Sequence, residues 1–181
     1  MTTEEFIAIL NARTALLNDP NLRERLALIA ANRVSAEVKR RVFFRGVAQD
    51  GSQIGQYSKK PAYFPKSTPG LPKLPGRSKV GRKGNKTYYS PAGYAGYRAA
   101  TGRQNSKVDL NMTGATFDAV GVGNGPNGLP AFGIKTKEAL NRIEGNEQRF
   151  QAVTVTPNDV EVQSAREDVR EELRFIFGIP K

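Results

Sequence analysis

Between positions 58 and 107 the chain carries twelve Lys and Arg residues and no Asp or Glu. Side chains of this kind bind phosphates or carboxylates, and Arg can do so through two parallel hydrogen bonds. The remaining 16 basic residues are balanced by 17 acidic ones, so the formal excess of +11 comes from this segment. We therefore expect an acidic counterpart, either a nucleic acid or an acidic protein surface. Residues 58–87 are called the basic arm, and its candidate contact residues are Lys59, Lys60, Lys66, Lys73, Arg77, Lys79, Arg82, Lys83 and Lys86.

The basic arm also carries aromatic side chains. Tyr63, Tyr88 and Tyr89 lie among its cations, and tyrosine rings can stack on nucleic-acid bases. Cations that neutralise phosphates, combined with stacking rings, are typical of sequence-independent binding to nucleic acid. A second interpretation fits the same residues equally well. The arm can be a solvated loop, or one that only neighbouring subunits order, because an extended segment gains its buried area from partners.

Other kinds of functional site find little support. The chain has no His and no Cys, which excludes disulfides, thiolate metal ligands and the usual general base near neutral pH. The glycine-rich run 121–125 is not followed by the Gly-Lys-Ser/Thr of a phosphate loop and indicates a hairpin turn instead. Glu167 and Asp168 are adjacent on a predicted helix, where neighbouring side chains diverge. We expect no catalytic activity, no cofactor and no metal, and no membrane span, since no apolar run reaches about eighteen residues.

Helical periodicity marks both ends of the chain. An apolar side predicts a short helix over 3–17, and apolar residues at steps of three to five predict a second helix over 20–41. A further helix near the C-terminus is expected to have Thr156 as its N-cap, because a proline and an acid follow in the first turn. Gly178 is expected to end that helix.

Shorter elements are predicted between these helices. Val42–Phe44 is expected to be extended, and 91–98 is expected to form a short helical turn. The stretch 116–135 predicts a β-hairpin around a glycine-rich turn. A short helix is expected over 137–144, ended by Gly145.

These elements indicate an α+β fold in which terminal helices pack on a small antiparallel sheet. The length suits a single domain over residues 1–181, with the basic arm at 58–87 inserted in it as a long, extended, Pro-rich segment. Prolines are excluded from helix interiors and central strands, which predicts extended, partly polyproline-like chain in the arm. The prolines concerned are Pro61, Pro65, Pro69, Pro72 and Pro75.

One succession of residues is more specific than composition. Tyr94-Ala95-Gly96-Tyr97-Arg98 is followed by Gly102-Arg103 and then by Val108-Asp109-Leu110-Asn111-Met112-Thr113-Gly114. It resembles a pattern in tailed-phage neck and tail-completion proteins, where a YxxYR…GR segment precedes a VDLNLTG run. Met112 stands where that family more often has Leu. The likeness extends over roughly 50–177, and the family is the broad group that includes virion morphogenesis proteins of Mu-like phages.

The resemblance implies a structural virion protein of a tailed bacteriophage, made in the host bacterial cytoplasm and built into the head–tail junction. Proteins of this group form connector, tail-completion or tail-terminator rings around the DNA channel. It therefore implies a homo-oligomeric ring, which we expect to be a hexamer. Neighbouring neck or tail proteins would be its partners. The basic arm would then contact a neighbouring subunit, an adjacent ring or the channel DNA. The alternative is a protein that binds nucleic acid without sequence preference through the basic arm.

Overall fold

The computed structural model describes residues 2–67, 71–74, 87–110 and 114–180. Its strands form two antiparallel two-stranded sheets within these ranges, β1 with β2 and β3 with β4, and the predicted α+β class is confirmed. In chain order the elements are α1 (Thr3–Asn18), α2 (Pro20–Lys39), β1 (Ala62–Pro65), β2 (Thr87–Ser90), α3 (Gly93–Ala100), α4 (Ala115–Ala119), β3 (Val120–Asn124), β4 (Pro130–Ile134), α5 (Lys137–Phe150) and α6 (Asp159–Ile176).

The chain divides into two compact units, each assembled from separate stretches of sequence. Unit 1 comprises Met1–Lys39, Ala119–Lys137 and Thr156–Lys181, and unit 2 comprises Arg40–Asp118 and Glu138–Val155. The chain passes four times from one unit to the other, so neither is a continuous segment. The expectation of a single domain for the whole chain stays a prediction.

Unit 1 is built around α2, which packs against α6 and against both strands of the β3–β4 hairpin. Val38 on α2 and Val120 on β3 have no exposed surface, and the small side chains of Ala31 and Ala165 are also buried. Small residues at a helix contact let two helices approach closely. An isolated hairpin is marginally stable in water, so the packing of α2 is what stabilises this one.

The expectation that Val42–Phe44 is extended is wrong. Residues Arg40–Arg45 form a π-helical turn that continues α2. Val42 follows Val38 by one helical turn, and both are fully buried. Burial of this continuing stripe outweighs the local preference of β-branched and aromatic residues for strands, which is weak compared with tertiary packing.

The two ends of α6 differ in how well local signals located them. The N-cap is Asn158 and not Thr156, because the Asn158 side chain accepts a hydrogen bond from the Glu161 N–H at 2.9 Å. The Glu161 carboxylate accepts in turn from the Asn158 N–H at 2.9 Å, which completes a capping box. The predicted end at Gly178 is confirmed. Gly178 has a φ of +61°, and its N–H and that of Ile179 donate back to carbonyls of the last turn.

The predicted hairpin over 116–135 is confirmed in its strands but not in its start. Strand β3 begins at Val120, and Ala115–Ala119 is helical. Gly114 has a φ of +88°, and its carbonyl accepts a hydrogen bond from the Asp118 N–H at 2.9 Å. This turn starts a short helix that delays the strand by four residues.

Helix α5 runs through Gly145, so the expectation that it ends there is wrong. A glycine inside a helix costs about 1 kcal/mol relative to alanine. That cost is offset by a contact beyond the glycine, since the Glu147 carboxylate accepts hydrogen bonds from the Thr154 N–H at 2.6 Å and from the Thr154 hydroxyl at 2.8 Å. The helix therefore continues to Phe150.

Gly145→Ala should raise the free energy of unfolding by about 0.5–1 kcal/mol, because alanine favours the helix and its Cβ would meet no atom within 4 Å. Gly128→Ala is the matched control. Its Cβ also has open space, but its φ is +76°, so the substitution should lower stability by about 1 kcal/mol. Urea denaturation followed by circular dichroism measures both changes. A loss of stability at Gly145 would contradict the continuous helix.

Candidate functional site

The basic arm begins and ends in a two-stranded antiparallel pair, β1 with β2, which we call the ribbon. Its register runs from Ala62 opposite Ser90 to Pro65 opposite Thr87. The sequence predicts extended chain here but not its pairing, since prolines are unfavourable in sheets. Pro65 is accommodated because it is the last residue of a strand in a two-stranded sheet.

Four of the nine candidate contact residues lie in the described part of the arm. Lys59 and Lys60 precede β1 and are exposed, and Lys66 follows it and is half-buried. Lys73 is exposed beside Leu74, which is buried and whose N–H donates to the Lys66 carbonyl at 3.2 Å. The ribbon thus has cations at both ends of its first strand. The other five candidates lie outside the described residues: Arg77, Lys79, Arg82, Lys83 and Lys86.

The two faces of the ribbon carry different aromatic pairs. On the inner face Phe64 stacks on Tyr97 of α3, with ring centroids 4.7 Å apart and an interplanar angle of 14°, and Tyr88 lies 6.4 Å from the same ring. On the outer face Tyr63 and Tyr89 are cross-strand partners with centroids 5.0 Å apart, and they are 52% and 45% exposed. Tyr63 and Tyr89 are therefore available to a partner, whereas Tyr88 is turned towards α3.

Helix α3, which extends the predicted turn over 91–98, holds the start of the arm by its backbone. The Ala95 N–H donates to the Ser58 carbonyl at 3.1 Å. Gly93 has a φ of +61°, and a Cβ there would lie 2.4 Å from the Lys60 carbonyl oxygen and 2.6 Å from that of Ser58. Only glycine meets both demands, so the first residues of the arm are fixed against the helix.

Arg98 of α3 is 1% exposed and makes a two-oxygen ion pair with Asp109, at 2.9 and 3.1 Å from its Nη2. Its Nε donates to the Gln104 carbonyl at 2.7 Å, and the Gln104 side chain donates to Asp109 Oδ2 at 2.6 Å. The Tyr57 hydroxyl donates to Asp109 Oδ1 at 2.8 Å. We call these four residues the buried network. Its charges are paired and hydrogen-bonded, which is the condition under which a buried ion pair is tolerated.

The buried network joins three segments that are distant in sequence. Tyr57 immediately precedes the arm, Arg98 is on α3, and Asp109 lies beyond that helix. The Arg98 guanidinium also lies 4.5 Å from the centre of the Tyr57 ring, an additional cation–π contact. The network therefore fixes α3, and with it the base of the basic arm.

Sequence reasoning did not place Arg98 or Asp109 among the site residues, although both belong to the resemblance motif. One signal was available. Asp109 is the first acidic residue after Asp50, at the end of a long acid-free and basic stretch. A single acid in that position indicates a specific cationic partner inside the fold. The motif residues 111–113 lie outside the described residues.

Breaking the network should cost far more than breaking a surface ion pair. Asp109→Asn leaves the buried Arg98 charge without a carboxylate and should lower the free energy of unfolding by about 3 kcal/mol or more. Glu138→Gln is the control, because it removes the exposed pair with Arg142 and should change stability by less than about 1 kcal/mol. Urea denaturation compares the two. Equal effects would contradict a structural role for the network.

Burial raises the pKa of Tyr57, so its hydroxyl keeps the proton that it donates to Asp109. In the unfolded chain this phenol ionises above about pH 10, whereas in the folded chain it stays protonated at that pH. The stability that it contributes is therefore present below that pH and is lost as the pH rises further. Tyr57→Phe should lower stability by about 1–3 kcal/mol at pH near 8 and should then lose less on going to alkaline pH. Tyr63→Phe, at an exposed position, should keep the wild-type alkaline loss. An alkaline profile of Tyr57→Phe identical to that of the wild type would contradict the assignment.

Comparisons of this chain with protein-family models, with curated proteins and with solved structures found no match. Among the residues that the structure describes, no three His, Cys, Asp or Glu side chains are grouped so as to hold a metal ion. No helix in the described ranges is long and apolar enough to cross a bilayer. The ribbon, the buried network and the exposed surfaces of the chain are therefore the features that bear on its function.

Proposed function

We propose that this protein is a non-enzymatic structural subunit of a tailed-bacteriophage virion, which forms a ring around the DNA channel at the head–tail junction. One observation carries the proposal. Residues of the motif that resembles neck and tail-completion proteins, namely Tyr97, Arg98 and Asp109, are the ones that hold the base of the basic arm. A shared motif that builds the base of an arm supports a shared role in assembly rather than a shared reaction.

The arrangement of charge supports the same proposal. The basic arm carries nine of the 28 basic residues and no acid, so it supplies +9 of the formal +11, while the rest of the chain is near neutral at +2. Cations in solvent can pair with phosphates or carboxylates of another molecule without a buried charge in their own fold. A neighbouring subunit, an adjacent ring and the channel DNA all offer such acidic groups.

A second candidate function is sequence-independent nucleic-acid binding by the free protein. The outer face of the ribbon favours it, because the exposed pair Tyr63 and Tyr89 lies in β1 and β2, and Lys59, Lys60 and Lys66 flank β1. Exposed rings next to cations can stack on bases while the cations neutralise phosphates. Binding of this kind weakens steeply as salt rises.

Neutralising the arm while keeping its length should separate assembly from folding. The arm variant replaces Arg77, Lys79, Arg82, Lys83 and Lys86 by Gln and keeps the ribbon and Leu74 intact. The matched control replaces five exposed cations of the body by Gln: Arg45, Lys135, Lys137, Arg149 and Arg174. Both should fold with a stability within about 1 kcal/mol of wild type, since surface substitutions rarely cost more. In a phage that encodes the protein, the arm variant should abolish infectious particles and leave heads and tails unjoined, and the control should not.

Plaque counts and electron microscopy of the lysates give the result. Normal infectious particles from the arm variant would overturn the proposed role. If those particles are normal while the nuclease-treated wild-type protein binds DNA, the second function is favoured. The salt dependence of that binding should then have a slope of about −0.9 per neutralised phosphate, and the arm variant should reduce it.

A further inference from the structure

Helix α1 leaves its large apolar side chains about half exposed. No described residue of this 16-residue helix is buried, and Ile7, Leu10 and Leu17 are 50%, 45% and 44% exposed. An isolated helix of this length is marginally stable in water, because most helical stability in proteins comes from packing of an apolar face. The side chains of α1 therefore need a surface to cover them.

The same chain carries an apolar groove within unit 1, between α2, β4 and α6. The groove has a volume of about 540 Å³, and Ala30 and Ala31 of α2, Phe132 of β4 and Val169 of α6 line it. Small alanine side chains on its α2 wall allow the backbone of another helix to approach closely. No described residue of α1 lines the groove.

The charges of the groove and of α1 are complementary. Arg166 and Arg170, both exposed, lie one helical turn apart on α6 where it borders the groove. Glu4 lies in the first turn of α1, three residues before Ile7, which is itself three residues before Leu10. Residues three apart are neighbours on a helix surface, so Ile7 lies between Glu4 on one side and Leu10 on the other.

We propose that α1 of a second copy of this chain binds in the groove, with Ile7 and Leu10 on its apolar lining and Glu4 towards Arg166 and Arg170. The occupant is a second copy because α1 carries both an apolar face that fits the lining of the groove and an acid that can pair with its arginines. The connection to α2 supports binding in trans. Arg23 donates to the Leu17 carbonyl at 3.1 Å and to the Asn18 side chain at 3.0 Å, which holds the elbow between α1 and α2 and presents α1 in a set direction.

This interface is heterologous, because α1 and the groove are different surfaces of one chain. Each subunit offers one of each, so binding continues from copy to copy until a ring closes or a filament grows. The interface is inferred from α1 and the groove alone, whereas its closure into a ring at the head–tail junction rests on the proposed function. The inference therefore names the contact between subunits of that ring.

Two complementary variants test the inference through native mass by light scattering. The helix variant, Ile7→Asp with Leu10→Asp, breaks α1 but keeps the groove, and both positions are exposed. The groove variant, Ala30→Trp, fills the groove but keeps α1. Wild type should form assemblies larger than two chains, and each variant alone should be a monomer of 19.8 kDa. An equimolar mixture has one intact interface and should stop at a dimer.

A charge swap covers the case in which the tryptophan impairs folding. Arg166→Glu with Arg170→Glu, at exposed positions, should also yield a monomer, and Glu4→Arg added to the helix of the other copy should restore association. Val160→Asp is the control, because Val160 is 73% exposed and does not line the groove, and it should assemble like wild type.

A monomeric wild type at all concentrations, variants that assemble normally, or a mixture that remains monomeric would each overturn the inference. Occupation of the groove by a small apolar ligand would appear as a monomeric wild type that binds such a ligand and loses it with Ala30→Trp. None of these results affects the proposed role in the virion, which depends on the arm variant. Failure of the arm variant, in turn, leaves the subunit contact standing.

Discussion

The ion pair between Arg98 and Asp109 is the interaction on which the position of the basic arm depends. Both side chains are almost fully buried, so each charge must find its partners inside the protein. Gln104 and Tyr57 supply the further hydrogen bonds that such a pair requires. Because Tyr57 stands at the entrance of the arm and Arg98 on α3, the same contacts that satisfy the charges also fix the base of the ribbon.

The two faces of the ribbon have different roles, since the inner face stabilises the fold and the outer face lies next to the charged residues. The inner face of the ribbon packs Phe64 on Tyr97, an aromatic contact that stabilises unit 2. The outer face presents Tyr63 and Tyr89, with Lys59 and Lys60 just before the first strand. Cations placed there keep their hydration until a partner arrives, so the fold does not carry the cost of desolvating them. An arm built this way can be highly basic without weakening the body that holds it.

The proposed assembly places a different demand on unit 1. A helix of the length of α1 is only marginally stable alone, and its exposed aliphatic side chains gain stability only against a second surface. The alanine-lined groove between α2, β4 and α6 offers a surface of the complementary kind. In this proposal the apolar contact through α1 would hold copies of the chain together, and the charged contact through the arm would bind an acidic partner.

The sequence by itself determined the elements whose signals are local. Hydrophobic period, capping and turn preferences depend on residues that are close in sequence. They locate the helices α1, α2 and α6, the end of α6 at Gly178 and the β3–β4 hairpin. Tertiary contacts overruled such preferences at Val42–Phe44 and at Gly145, because they stabilise more than local propensity does. Only the tertiary structure decided that Asp109 meets Tyr57, 52 residues away, since a buried hydrogen bond gains its strength only after folding removes the water.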